Sequence, residues 1–443
     1  MSKSGISVTP IQRASLIGLI YEVFRRILGY VSLSILVGSF VVFFLWSLDR
    51  VTEIHWQHPW LLYCLPVIGL ISGLLYQYYG QNSEGGNNLI IEQIHQPGGG
   101  VPVRMAPLVL IGTLLTHLGG GSAGREGTAV QMGGSLAGLT AHWLGMKGAS
   151  LRPFLTAGVA AGFGAVFGTP IAGAIFALEV LVRGRIEHHS IIPCLSCAVL
   201  ADQVTLLWGI EHTTYSIVYF SNEVEQRTGW GAGEWWLLLQ VLLASCIFGL
   251  VSRLFIWASH TITSAAKKWI TRAWMRPVVG GVIIVALAVF LDGREYLGLG
   301  VNANPSSAEP ITIPGCFRAG GATHFSWILK LAFTAITVGM AFKGGEVTPL
   351  FFIGAALGNS LGVMLGAPID VMAALGFLGV FAGATKTPVA CMVMGIELFA
   401  PHSEGLFSGH FFVYAALACF VAYYTSGRES IYRAQKQEFP IAN

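Results

Sequence analysis

A succession of apolar stretches constrains this chain before any motif does. Ile27 to Leu48, Trp60 to Tyr79, Trp235 to Ala258, Pro277 to Leu291 and Phe407 to Tyr424 carry almost no charge. Several reach the roughly 20 residues that a bilayer-spanning helix needs. Over the whole sequence 54% of residues are hydrophobic and 11% charged, where an ordinary soluble domain is about one-quarter charged. Lipid is therefore the solvent for most of the chain. An outer-membrane barrel would alternate apolar and polar residues over strands of about ten, a pattern this sequence lacks. The expectation is an all-α polytopic membrane protein.

Other apolar segments, Met105 to Leu118, Ile171 to Val182 and Val389 to Phe399, are too short to cross. Broken helices at membrane depth are tolerated only around a cavity, which is how transporters use them. The 56 glycines fit close helix packing, and Gly158/Gly162, Gly164/Gly168 and Gly354/Gly358 each form a GxxxG pair.

The sequence also repeats itself. Gly124-Arg125-Glu126-Gly127-Thr128, followed by Gly133, Gly134 and Ser135, has a counterpart in Gly344-Gly345-Glu346-Val347-Thr348-Pro349, followed by Gly354 and Ala355. Further on, Gly168-Thr169-Pro170-Ile171-Ala172 through Glu179 matches Lys386-Thr387-Pro388-Val389-Ala390 through Glu397, with the glutamate at the same distance from the proline. Blocks recurring in one order predict a single membrane domain, 1–443, of two halves, 30–209 and 235–427. An extracellular linker is expected at 210–234, and a short C-terminal helix and tail at 428–443.

Glu126 is the residue that carries chemistry. A carboxylate in an apolar, Gly-rich segment costs several kcal/mol unless paired or neutralised, so it marks function by default. Gly127-Thr128 can start a helix running through Met132 to Leu144, and free amides at such a start bind anions. The Glu126 side chain then competes with a small anion for one site, and protonation frees that site. The alternative is a salt bridge to Arg125, disfavoured because adjacent residues of a helix do not face each other.

These motifs resemble those of the CLC family of anion channels and transporters, and the resemblance covers nearly the whole chain. Gly124 to Thr128 looks like its gating motif, Gly344 to Pro349 like its second-half anion motif, and Gly85-Gly86-Asn87-Asn88 stands where its first anion motif stands. Ser430-Ile431-Tyr432 matches the tyrosine whose hydroxyl reaches the central anion. The resemblance implies two inverted-topology repeats with short broken helices and a homodimer with one path per subunit. Segments near Ile171 to Cys197 and Val389 to Ala418 are candidates for the dimer face. It also implies a site of Glu126 with Asn87, Asn88, Gly124, Arg125, Gly127, Thr128, Thr348 and Tyr432.

Departures from the chloride-type pattern are informative. Asn87 and Asn88 stand where a serine is usual, Thr128 follows the gate in place of proline, and the second motif reads Gly-Gly-Glu-Val-Thr-Pro. These resemble the fluoride-exporting CLC-F branch, as does Val180, where chloride/proton exchangers carry an internal proton-handing glutamate. The resemblance thus implies export of fluoride in exchange for protons. A chloride/proton antiporter or a passive chloride channel is the alternative.

Several residues keep a plainer reading. Tyr432 suits an interfacial belt, and Asn87 and Asn88 suit helix caps. Glu346 reads as an echo of the gate, and Glu179 and Glu397 as hydrated helix-end carboxylates with a proton relay as the alternative. His188 and His189 read as a solvated pair in a cytoplasmic loop. An intramembrane hydrolase would need a Ser/His, paired-Asp or HExxH arrangement, and none is present. The 7 cysteines, including Cys194-x-x-Cys197, show no zinc spacing, so neither a metal site nor a cofactor is expected.

The first thirty residues carry Lys3, Arg13, Arg25 and Arg26 without a cleavage site, and are expected as a cytoplasmic amphipathic helix. Arg428, Arg433 and Lys436 follow the last span. Positive charge at both ends places both termini in the cytoplasm of a bacterial inner membrane. A net charge of +3 gives no reason to invoke nucleic acid.

Overall fold

The computed structural model describes residues 10–96, 100–146, 150–184, 186, 188–219, 231–305, 307, 310–399 and 410–436. Most of these are helical, and no strand forms among them. In chain order the helices are α1 (Pro10–Gln57), α2 (Leu65–Leu75), α3 (Gly86–His95), α4 (Met105–Leu118), α5 (Glu126–Trp143), α6 (Leu151–Phe167), α7 (Pro170–Glu179) and α8 (Ile191–Leu207). The second series is α9 (Ala232–Trp269), α10 (Arg276–Phe290), α11 (Ser326–Gly339), α12 (Val347–Leu365), α13 (Ile369–Thr385), α14 (Pro388–Phe399) and α15 (His410–Thr425). The expected all-α polytopic architecture is present.

The N-terminal segment differs from expectation. It is not a separate interfacial helix: α1 runs unbroken for 48 residues, about 72 Å at 1.5 Å per residue. Nothing between Pro10 and Gln57 supplies a break, because no proline or turn sequence interrupts the apolar run after Pro10. Ile20, Phe24, Ile27, Val31 and Ile35 recur along one face of this helix and are exposed, so that face meets lipid. Residues 428–436, expected as a short helix, form turns and pair with the end of α7 through Val182 and Lys436. Residues 220–230 of the expected linker lie outside the described residues, as do 437–443 of the tail.

The short helices have a local cause. Gly168, in the left-handed conformation at φ 71°, ends α6, and Pro170 opens α7 two residues later. In the second half Lys386 takes the same left-handed position at φ 62°, and Pro388 opens α14. A side chain there is strained, and Lys386 compensates by donating from Nζ to Ser426 Oγ at 2.5 Å and to the Gly427 carbonyl at 2.7 Å.

Glycines set how closely the helices pack. A Cβ on Gly133 would lie 2.1 Å from the Gly158 carbonyl oxygen, and one on Gly162 2.3 Å from that of Ala129, so α5 and α6 touch through backbone. Gly354 against Gly376, and Gly358 against Met372, place α12 on α13 in the same way. Two of the three GxxxG pairs thus mark close helix contacts within the chain. α12 is the innermost long helix, with 89% of its apolar window buried against 28% for the helical stretch Ala273–Phe290.

Candidate anion site

The starts of α5 and α12 meet at the centre of the molecule. Gly124 and Gly345 exchange two backbone hydrogen bonds, 2.6 Å from the Gly124 amide and 2.7 Å from the Gly345 amide. Only glycine fits here. A Cβ on Gly124 would lie 2.9 Å from both Pro349 Cδ and Thr348 Oγ1, and one on Gly345 2.7 Å from the Gly127 nitrogen.

This approach carries Glu126, first residue of α5 and fully buried, onto the start of α12. Its Oε2 accepts from the Thr348 amide at 3.0 Å, from the Thr348 hydroxyl in a short contact, and from the Arg125 amide at 3.2 Å. Bonds to a charged group are worth about 1.5–3 kcal/mol each, and the positive end of α12 adds to them. Two of the three donors that hold the gate therefore belong to the opposite half, and none to the helix that Glu126 itself begins. Oε1 is buried without a hydrogen bond, 3.5 Å from Arg125 Nε. The Arg125 contact is thus present after all. Arg125 precedes the helix as its N-cap, so the rule against adjacent residues facing each other does not apply to it.

Below this seat lies a cradle of small backbone and amide groups. A Cβ on Gly127 would lie 3.0 Å from Gly345 Cα, 3.2 Å from Asn87 Nδ2 and 3.8 Å from Glu346 Oε2. Asn87 and Glu346 therefore flank the start of α5 together. Asn87 Oδ1 is buried without a partner. Asn87 also lines a small cavity with Tyr432, Val180, Phe176, Ile90 and Ile94. Tyr432 is 5% exposed, so it is no belt aromatic. Val180, in place of a carboxylate, gives that cavity an apolar wall.

Four expected residues go elsewhere. The Thr128 hydroxyl pairs with that of Thr113 on α4 at 2.8 Å, so it joins helices rather than reaching the Glu126 seat. Asn88 Oδ1 accepts from the Ala434 amide at 2.9 Å, anchoring the segment that carries Tyr432. It caps no helix and reaches no central cavity. Glu179 and Glu397 are not hydrated helix ends either. Glu179 takes the amides of Val389 and Ala390 at 3.1 and 2.9 Å, and Glu397 those of Ile171 and Ala172 at 2.9 and 2.7 Å. Each carboxylate caps the other half's short helix. His188 and His189 are exposed.

A family model for voltage gated chloride channels matches residues 68–427, from within α2 to just past α15. The chain belongs to that family. Within the CLC family it is 43% identical over 410 residues to a "Chloride/fluoride channel protein" of Pseudomonas syringae pv. tomato, covering 91% of this chain and 84% of that protein. A crystal structure of a CLC-type fluoride/proton antiporter superposes with TM-score 0.83 at 33% identity, covering 97% of this chain and 99% of that one. A slow cyanobacterial Cl−/H+ antiporter shares the fold at TM-score 0.72 and 18% identity, over 92% of this chain and 96% of that one. The CLC-like fold of two inverted repeats is therefore established.

Gln131 was missed by sequence reasoning. It lies one turn after Gly127 on α5, 9% exposed, and a Cβ on Gly86 would lie 3.5 Å from its Nε2. A lone amide in a Gly- and Ala-rich helix was the signal for it.

Proposed function

We propose that this CLC protein exports fluoride from the cytoplasm in exchange for protons, with Glu126 as gate and proton carrier. The observation that carries this reading is the Glu126 carboxylate seated on the Thr348 amide and hydroxyl at the start of α12. A carboxylate there holds the place of a small anion. Protonation weakens its hold on those donors, the side chain leaves, and the anion takes the seat; deprotonation returns the competitor.

Fluoride is small and strongly hydrated, so selecting it over chloride requires donors that replace its water at short range. Asn87 Nδ2, the Thr348 amide and hydroxyl and the Tyr432 hydroxyl are donors of that kind. The relatives with fluoride in their names support the same substrate. With Val180 lining the inner cavity, Glu126 has no second carboxylate at that point to hand it protons, and Glu346 beside Gly127 is the alternative group. The halves are taken as 30–209 and 235–427. Both termini are taken to face the cytoplasm of the inner membrane. Exposed Ile192 and Leu195 on α8, with Phe412 and Val413 on α15, make the dimer face; residues 400–409 of that expected face lie outside the described residues.

A passive channel is the second reading, favoured by the word channel in the name of the Pseudomonas relative. Purified protein in liposomes separates the two. Fluoride leaving down its gradient pulls protons in against theirs if the protein is an exchanger, and fluoride flux without proton movement makes it a channel. Chloride flux equal to fluoride flux overturns the substrate.

A further inference from the structure

Away from the anion site, the C-terminal end of α9 and the segment 429–433 enclose an open groove of about 710 Å³. Arg183, Lys268 and Arg433 line it against one carboxylate, Glu429, with His260 on its floor. Two lining nitrogens, Arg183 Nε and His260 Nε2, are buried without a hydrogen-bond partner. Arg183 Nε is a donor in every state, and a buried donor without an acceptor costs roughly 1–3 kcal/mol, so the groove offers an acceptor a place among its positive charges.

We infer that this groove binds the headgroup of an anionic phospholipid. A phosphodiester supplies what is missing, namely negative charge and oxygens that accept from guanidinium in a fork geometry. The source is the bilayer because of what leads into the groove. Leu250, Leu254 and Trp257 recur at i, i+4 and i+7 on α9 and are exposed, and the same stripe continues as Thr261, Ser264 and Lys268, which line the groove. An apolar, lipid-facing track thus becomes polar and basic along one helix face, as a lipid changes from chain to headgroup. Trp269 ends the helix 80% exposed, the usual aromatic at the level of the headgroups.

The groove is coupled to the anion path by hydrogen bonds. The Arg183 amide donates to the Lys436 carbonyl at 3.2 Å and the Lys436 amide to that of Leu181 at 3.1 Å. Arg433 directly follows Tyr432, which lines the inner cavity. A headgroup bridging Arg183 and Arg433 therefore fastens the segment that holds Tyr432 to the end of α7.

Native mass spectrometry of the purified full chain tests this with palmitoyl-oleoyl phosphatidylglycerol as the probe and the matching phosphatidylcholine as control. Phosphatidylglycerol should be retained in preference to phosphatidylcholine. R183Q/R433Q should weaken it about 30-fold, since each basic residue near the lipid surface is worth about 1 kcal/mol. Lys268→Gln alters only an exposed side chain and should weaken retention about fivefold, which keeps the test decisive should the double variant fail to fold. Three results overturn the inference: equal retention of both lipids, unchanged retention in Lys268→Gln and the folded double variant, or displacement of phosphatidylglycerol by equimolar inorganic phosphate. The last makes the groove a site for a soluble anion.

Discussion

Two pairs of glutamates stand at equivalent places in the two halves, and their surroundings differ. Glu179 and Glu397 are treated alike: each lies in the last turn of its own short helix and caps the start of its counterpart, through two amides apiece. Glu126 and Glu346 are not. Glu126 crosses to the start of α12 and is fully buried, whereas Glu346 stays at the N-cap of α12 without a capping bond and is half-buried beside Gly127 and Asn87. The pseudo-symmetry holds where the carboxylates fasten the halves together. It breaks where, on the proposed mechanism, one carboxylate must let go.

The largest expected effect that sharpens this comparison is at Thr348. Thr348→Val removes a hydroxyl donor to a charged group, worth about 1.5–3 kcal/mol, so fluoride affinity should fall roughly 10- to 100-fold. Thr348→Ser should retain most of it. Thr128→Val should leave fluoride affinity within about twofold, because the hydroxyl it removes bonds Thr113 on α4 and not the donors around Glu126. Equilibrium fluoride titration of the three purified variants checks the order.

Glu179→Gln and Glu397→Gln come next. Each removes one of two charge-assisted bonds between short helices and takes the charge from the other, and each should lower stability by a similar amount, about 1–3 kcal/mol. Thermal unfolding in detergent gives the shift, and liposome flux should give an unchanged ratio of protons to fluoride. Loss of proton coupling in either variant with its fold intact would make that pair a relay and end the contrast with Glu126. The smallest effect belongs to Asn88→Ala, which loses one bond to the Ala434 amide at about 1 kcal/mol. Proteolysis after Tyr432 should quicken modestly, while Asn87→Ala should reduce fluoride affinity more than Asn88→Ala does.

The motifs were legible in the sequence because they are local. Glycine, glutamate and proline at fixed offsets recur in both halves, and those residues end and start helices in any context. What was not legible is where each side chain goes once the helices meet. Glu126 finds its donor 222 positions away, and Asn88 finds Ala434 at a separation of 346. Thr128 has the right chemistry at the right offset, yet α4 packs on the other side of α5 and takes its hydroxyl. The contact between Arg125 and Glu126 was discounted by a rule for helix interiors, and the helix begins one residue too late for that rule to apply. The unbroken α1 was missed because charge at Arg25 and Arg26 read as a boundary, while helical phase continues through both.

The central claim is that one carboxylate both yields its seat to fluoride and carries the proton. Fluoride efflux and proton uptake recorded together from liposomes, for the natural protein and for Glu126→Gln, test it directly. The account predicts uphill proton uptake driven by fluoride in the natural protein, and fluoride binding with no proton uptake in Glu126→Gln. Proton uptake that persists in Glu126→Gln would contradict it.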